Sequence, residues 1–135
     1  MTAETGLSDR AQRAIEKLEN IKRDPLGEIN SQTNHNHYDA ARREAQGEVV
    51  ARKADGTPFS HISDLQQAYN GLQNVRRDLE AEQDNPPDTI TPRGEQVLDK
   101  RYKETQRLLD RAGNFLDGIG YAPPYPPFHT WPPGT

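Results

Sequence analysis

"SDLQQAYNGLQNVRRDLEAEQDNPPDTITPRGEQVLDKRYKETQRLLDRAGNFLD", residues 63–117, decides the fold. Leu65, Ala68, Tyr69, Leu72, Val75 and Leu79 recur at spacings of three and four, which predicts an amphipathic helix from 63 to about 83. Ser63 and Gln66 supply a capping-box pattern at its start, and "DNPPD" closes it. Thr91 followed by Pro92 reads as an N-cap with proline at the first helical position. The helix that follows buries Val97, Leu98, Tyr102, Leu108, Leu109, Ala112, Phe115 and Leu116 and runs to about Asp117. A short proline loop between two long helices predicts an antiparallel helical hairpin, the scaffold of the molecule.

Upstream, Ala11, Ile15, Leu18 and Ile21 predict a helix over residues 9–23, with Asp9 as its cap and Pro25 just beyond its end. A polar loop from Leu26 to Asn36 leads to a shorter helix from Tyr38 to Gln46, stopped by Gly47. Glu48 to Lys53 contains the adjacent β-branched pair Val49–Val50, and Asp55–Gly56 is a turn signal, so a short strand or hairpin is expected there. Pro58 would keep its second arm at an edge. The expected fold class is therefore mainly α: a long helical hairpin, N-terminal helices and one small β-hairpin. A folded unit over residues 1–120 would be followed by a tail, "YAPPYPPFHTWPPGT", whose prolines favour polyproline II and whose Tyr121, Tyr125, Phe128 and Trp131 would drape it over the helices.

Composition bounds the rest. Leu, Ile, Val and Phe make 23 of 135 residues, under the ~20% level at which disorder becomes an issue, but the net charge of −4 is modest and the apolar residues are periodic. A small, lean fold of marginal stability is expected. No cysteine is present, which excludes a disulfide framework and a cysteine-based zinc site. No apolar run approaches the ~18 residues of a membrane span, and the first ten residues lack signal-peptide character. Such a chain is expected to be cytoplasmic or a released piece of something larger. Phosphate-cradling glycine loops, Gly-x-Ser-x-Gly elbows and His-Glu-x-x-His helices are missing.

Chemistry concentrates between residues 31 and 61. "SQTNHNHYDAARRE" (31–44) places His35 and His37 before a short helix, and His61 follows the expected hairpin; His129 sits in the tail. Histidine gives and takes protons near neutrality, which suits metal-independent RNA cleavage. There one group removes the 2′-hydroxyl proton, another protonates the leaving 5′-oxygen, and a cation stabilises charge at phosphorus. Arg42, Arg43, Arg52 and Lys53 are the local cations, set against Asp39, Glu44 and Glu48, so the patch is faintly basic. A loop histidine is ordinarily just solvated, paired arginines often mark a solvated helix face, and Asp55–Gly56 serves a turn as readily as it orients a histidine. His35, His37, Asp39 and His61 also form a conceivable nitrogen–oxygen metal set, which would make a DNase of the HNH kind, although zinc-site spacings are absent.

"GEVVARKADGTPFSHISDLQQAYNGLQNVRRDLE", together with "QRLLD" on the last helix, resembles the polymorphic toxin type 28 domain, a family of C-terminal modules of bacterial contact-dependent and secreted toxin systems. The resemblance spans Tyr38 to Leu116 and rests on Gly-Glu-Val-Val-Ala-Arg, Asp-Gly, His, Gly-Leu and Leu-Leu-Asp in that order. It implies a mostly helical ribonuclease toxin, acting in the target-cell cytoplasm and neutralised by a cognate immunity protein. Glu48, Arg52, Asp55, Gly56 and His61 carry over by position. Where the family often has an acidic residue before the histidine this chain has Ser60, leaving Asp55 or Asp64 as orienting groups.

The expected activity is thus RNA cleavage without cofactor or metal, on a single-stranded loop such as that of a tRNA. His61 with His35 or His37 would transfer protons, Asp55 would orient, and Arg42, Arg43, Arg52 and Lys53 would bind RNA. A metal-dependent DNase and a non-enzymatic helical immunity or adaptor module are the competing classes.

Overall fold

The computed structural model describes residues 4–23, 26 and 37–121, with the side chain of residue 37 excepted. Four helices follow in order: α1 (Asp9–Arg23), α2 (His37–Ala45), α3 (His61–Asp84) and α4 (Pro92–Gly118). The expected tail, with Tyr125, Phe128, His129 and Trp131, and the loop holding His35 lie outside the described residues.

α3 and α4 run antiparallel. Tyr102 bonds Glu80 and Arg76 bonds Gln106, so the register falls on one helix as it rises on the other. α1 lies antiparallel to α3, with Ser8 against Glu82 and Ile21 against Gly71. Its outer flank is tied to α4 by Lys22–Glu104 and Glu19–Arg101 pairs. Leu18, Leu65, Leu72, Val75, Leu79, Leu108 and Leu116 are fully buried where the three helices meet. Ala11, Ala14 and Ala68 let the backbones approach. Ile15, Tyr69, Val97, Tyr102 and Phe115, expected inside, lie at the margin of this core, and Ala14 and Thr105 take interior places. The Thr105 hydroxyl satisfies itself on the Arg101 carbonyl.

Helix ends follow local chemistry, with two corrections. Thr91 caps α4 as expected, its hydroxyl accepting from Gly94 N at 3.0 Å, and Pro92 opens the helix. At the other end Gly120, at φ 91°, lets its own N–H reach Asp117 O and that of Tyr121 reach Leu116 O, a Schellman closure that needs the left-handed conformation glycine adopts freely. α1 is capped by Ser8, not Asp9: its hydroxyl accepts from Ala11 N and its carbonyl from Gln12 N. α3 is capped by Ser60, one turn earlier than Ser63, and Ser63 N is the donor to it. The correction matters because it moves His61 out of a loop and into the first turn of a helix.

The expected β-hairpin is not formed. The chain does reverse at Asp55–Gly56, and Lys53 N reaches Thr57 O while Phe59 N reaches Ala51 O. Only an isolated Arg52–Pro58 bridge results, and no strand occurs among the described residues. Residues 51–58 are all exposed, so neither face of a ribbon would be covered, and Pro58 has no N–H to extend the ladder. The segment is a tight turn projecting from the bundle.

α2 packs across the end of the bundle where α3 begins and α4 finishes. Tyr38 and Ala41 are buried. The Tyr38 ring meets Phe115 of α4 edge-on at 4.9 Å and 75°, with the Arg111 guanidinium 4.5 Å from its centroid. This end of the molecule carries the candidate site.

Candidate functional site

Positions 38, 41 and 44 lie three apart and share one face of α2. Tyr38 and Ala41 on that face are buried, and the Glu44 side chain beside them retains only 9% of its exposure. It is aimed at the start of α3, where the first N–H groups have no intrahelical acceptor. Glu44 Oε1 accepts from His61 N at 2.7 Å and from Ile62 N at 3.1 Å. Its other oxygen, Oε2, lies 2.6 Å from Nδ1 of the His61 ring. Ser60 takes the next two donors, Ser63 N on its hydroxyl and Asp64 N on its carbonyl. The first turn of α3 is thereby satisfied, half by its local cap and half by a carboxylate from another helix.

Burial pushes the Glu44 carboxyl up, but the hydrogen bonds from His61 N, the His61 ring and Ile62 N, with the charge of His61, outweigh it and hold the group below its ordinary value. The His61 side chain is 12% exposed, and Phe59 meets its ring edge-on at 4.8 Å and 77°. The histidine is therefore confined between a carboxylate and an aromatic edge, at the surface end of the bundle.

The remaining sequence-derived residues fall into three groups. Asp55 belongs to its own turn: its carboxylate accepts from Thr57 N at 3.0 Å and Thr57 Oγ1 at 2.7 Å, and those bonds hold it below its usual value. The group on Nδ1 of His61 is Glu44, not Asp55. Arg52 also serves the turn, its guanidinium donating to Gly56 O at 2.8 Å. Lys53 is exposed on the same turn, and its ammonium has no partner among the described residues. Arg42 and Arg43 lie on the exposed face of α2, paired with Asp39 and with Glu48. His35 and the side chain of His37 lie outside the described residues, although α2 begins at His37. Among the described residues no three His, Asp or Glu side chains are grouped to hold a metal ion.

Glu44 is the residue that sequence reasoning missed. In the sequence it reads only as a negative charge offsetting Arg42 and Arg43. Its signal was helical phase: once a helix is placed from Tyr38 to a Gly47 stop, Glu44 shares the apolar face with Tyr38 and Ala41 and has to find donors.

A separate hollow of about 530 Å³ lies at the opposite end, between the N-terminal segment and α4, lined by Leu7, Gln12, Ile15, Thr89 and Val97 among others. Among the described residues its lining holds no histidine or cation, and the length of α3, roughly 36 Å, separates the two ends.

At one end of this small helical module a histidine is fixed on a carboxylate, beside a turn that carries Arg52 and Lys53. The bacterial toxin 28 family model matches residues 6–118, and the chain belongs to that family. No curated protein and no solved structure matches the chain. Membership places it among bacterial toxins, which sets aside the immunity or adaptor module expected as an alternative. No helix among the described residues is long and apolar enough to cross a membrane.

Proposed function

We propose that this toxin domain is a metal-independent ribonuclease, delivered into a target cell, acting in its cytoplasm and held in check by a cognate immunity protein. The observation that carries the reading is the His61 imidazole, held in one orientation by a largely buried carboxylate at the first turn of α3. General acid–base chemistry on RNA needs such a group near neutrality, and it needs the group fixed. His61 is one proton-transfer residue, and His35 or His37, which precede or open α2, is the other. Lys53 and Arg52 on the turn that leads into His61, with Arg42 and Arg43 on the neighbouring helix, meet the phosphates. Asp55 acts by shaping that turn. A single-stranded RNA loop such as the anticodon loop of a tRNA is the preferred substrate, because splayed nucleotides allow the 2′-hydroxyl to align with the scissile phosphate.

The test is induction of the wild-type chain and of His61→Ala in a bacterium, with growth curves and a total-RNA gel. Growth arrest with discrete RNA fragments for wild type, both absent for a folded His61→Ala protein, is the expected outcome. Purified protein should cleave RNA undiminished by a chelator. Intact RNA with degraded DNA, or cleavage that a chelator stops, would overturn the reading.

A further inference from the structure

We propose that Glu44 is the positioning residue of this site: it fixes His61 with the proton on Nδ1 and commits Nε2 to proton transfer. The inference rests on His61 being an acid–base group.

Capping alone does not account for Glu44. The two N–H groups that Ser60 leaves over, those of His61 and Ile62, occupy only one of the Glu44 oxygens. Glu44 comes from a different helix and divides its two oxygens. Oε1 holds the backbone N–H groups of His61 and Ile62, and Oε2 holds the ring of the same histidine. One largely buried group thus sets both the backbone that carries the imidazole and the imidazole itself. An ionised carboxylate only accepts hydrogen bonds, so Nδ1 must be the donor and the neutral ring is the Nδ1–H tautomer. Phe59 against the ring limits its rotation away from that geometry.

The chemical consequence follows for the base role. The Nε2 lone pair takes the proton of the 2′-hydroxyl as its oxygen bonds to phosphorus. The bond from phosphorus to the 5′-oxygen breaks, and the second acid protonates that leaving oxygen. His61 becomes an imidazolium whose positive charge faces the Glu44 carboxylate, and Glu44 itself keeps its charge throughout. Because Glu44 belongs to α2 and His61 to α3, the oriented histidine exists only while α2 is docked.

Glu44→Gln isolates this role. Its amide oxygen still accepts from the start of α3, but its NH₂ faces Nδ1 and donates, which drives the ring proton to Nε2. The experiment records ring ¹⁵N NMR spectra of the whole chain at roughly pH 8, above the ordinary histidine value of ~6.5, beside steady-state RNA cleavage. The expected spectrum shows the Nδ1–H tautomer for wild type and the Nε2–H tautomer for Glu44→Gln. The expected kinetics are a fall in kcat on the order of 100-fold with KM nearly unchanged, and partial rescue by Glu44→Asp. A wild-type ring protonated on Nε2 overturns the proposal whether or not the variants fold. A folded Glu44→Gln with full kcat overturns it as well. If His61→Ala keeps full activity, the ribonuclease assignment of His61 fails instead, and the two failures are told apart.

Discussion

Glu82 of α3, 1% exposed, accepts from both the backbone N–H and the hydroxyl of Ser8, at 2.8 and 2.6 Å. The buried carboxylate thereby anchors the residue that caps α1, across 74 residues of sequence. At the other end of the bundle Glu44 holds the first two N–H groups of α3 directly. In a chain with few large apolar residues, two carboxylates borrowed from neighbouring helices hold helix starts that local side chains only partly satisfy.

Glu82→Ala leaves the part-buried Ser8 N–H without its acceptor and opens a void beside α1. The expected cost is about 2–3 kcal/mol, read as a lower urea midpoint with unchanged slope. RNA cleavage per folded molecule should be unaffected, because the site lies at the other end of α3.

Acid should unfasten the Glu44 anchor. Its folded-state carboxyl lies below its ordinary value, so the stability it contributes is fully present above the unfolded glutamate value of ~4.3 and is lost as pH falls through the folded one. Glu104 is displaced in the same direction: burial raises it, and the Lys22 and Arg101 bonds more than compensate. Comparing wild type with Glu44→Gln separates the two. The urea midpoint of wild type should exceed that of Glu44→Gln near neutrality, and the gap should close on acidification below the ordinary glutamate range. A gap that widens in acid would contradict the assignment.

Gly94 and Gly118 sit in one helix but should answer alanine oppositely. Helix propensity alone favours alanine over glycine by up to about 1 kcal/mol. At Gly94 a Cβ would stand 2.0 Å from the Thr5 carbonyl oxygen, where the N-terminal segment is held by Thr91, whose N–H and hydroxyl both reach Thr5 O. Around Gly118 no described residue would stand within 4 Å of an added Cβ. Gly94→Ala should therefore lower the melting temperature by several degrees and loosen the N-terminal segment, while Gly118→Ala should leave it unchanged or raise it. Thermal unfolding by circular dichroism decides both.

α1, α3 and α4 were legible because periodicity, prolines and caps all act within a few residues. The Thr91–Pro92 start and the Leu65–Leu79 stripe stand as the sequence implies. What failed was decided at a distance. Val49, Val50 and Asp55–Gly56 suggest a ribbon, but no apolar surface covers residues 51–58, and Val49 stays half exposed. Ser60 and Ser63 are equivalent as local caps, and the choice falls to Ser60, where Glu44 of α2 also reaches the first N–H groups. Asp55 stands nearer to His61 in sequence than Glu44 does, and for that reason reads as the orienting acid. An Asx turn onto Thr57 explains Asp55 locally, whereas the partner of His61 lies 17 residues away on another helix. The sequence marks His61 as a candidate for proton transfer, and the carboxylate beside it shows there only through helical phase.

Lys53 and Arg43 give the last test. Arg43 spends its Nε and one terminal nitrogen on Glu48, at 3.1 and 2.9 Å, while the Lys53 ammonium has no partner among the described residues. A cation already paired must break that pair to meet a phosphate, so it contributes less to binding than one held only by water. Lys53→Ala should raise KM for RNA several-fold with little change in kcat, and should shallow the salt dependence of log KM by about one contact, a slope change of roughly 0.7 for a single strand. Arg43→Ala should do less on both measures, and Glu48→Gln, which releases Arg43, should tighten RNA binding. Salt titrations of cleavage for the three variants check this. Equal effects of Lys53→Ala and Arg43→Ala would place the phosphate track on α2 rather than on the turn, and a kcat loss in Lys53→Ala would move that lysine to the scissile phosphate itself.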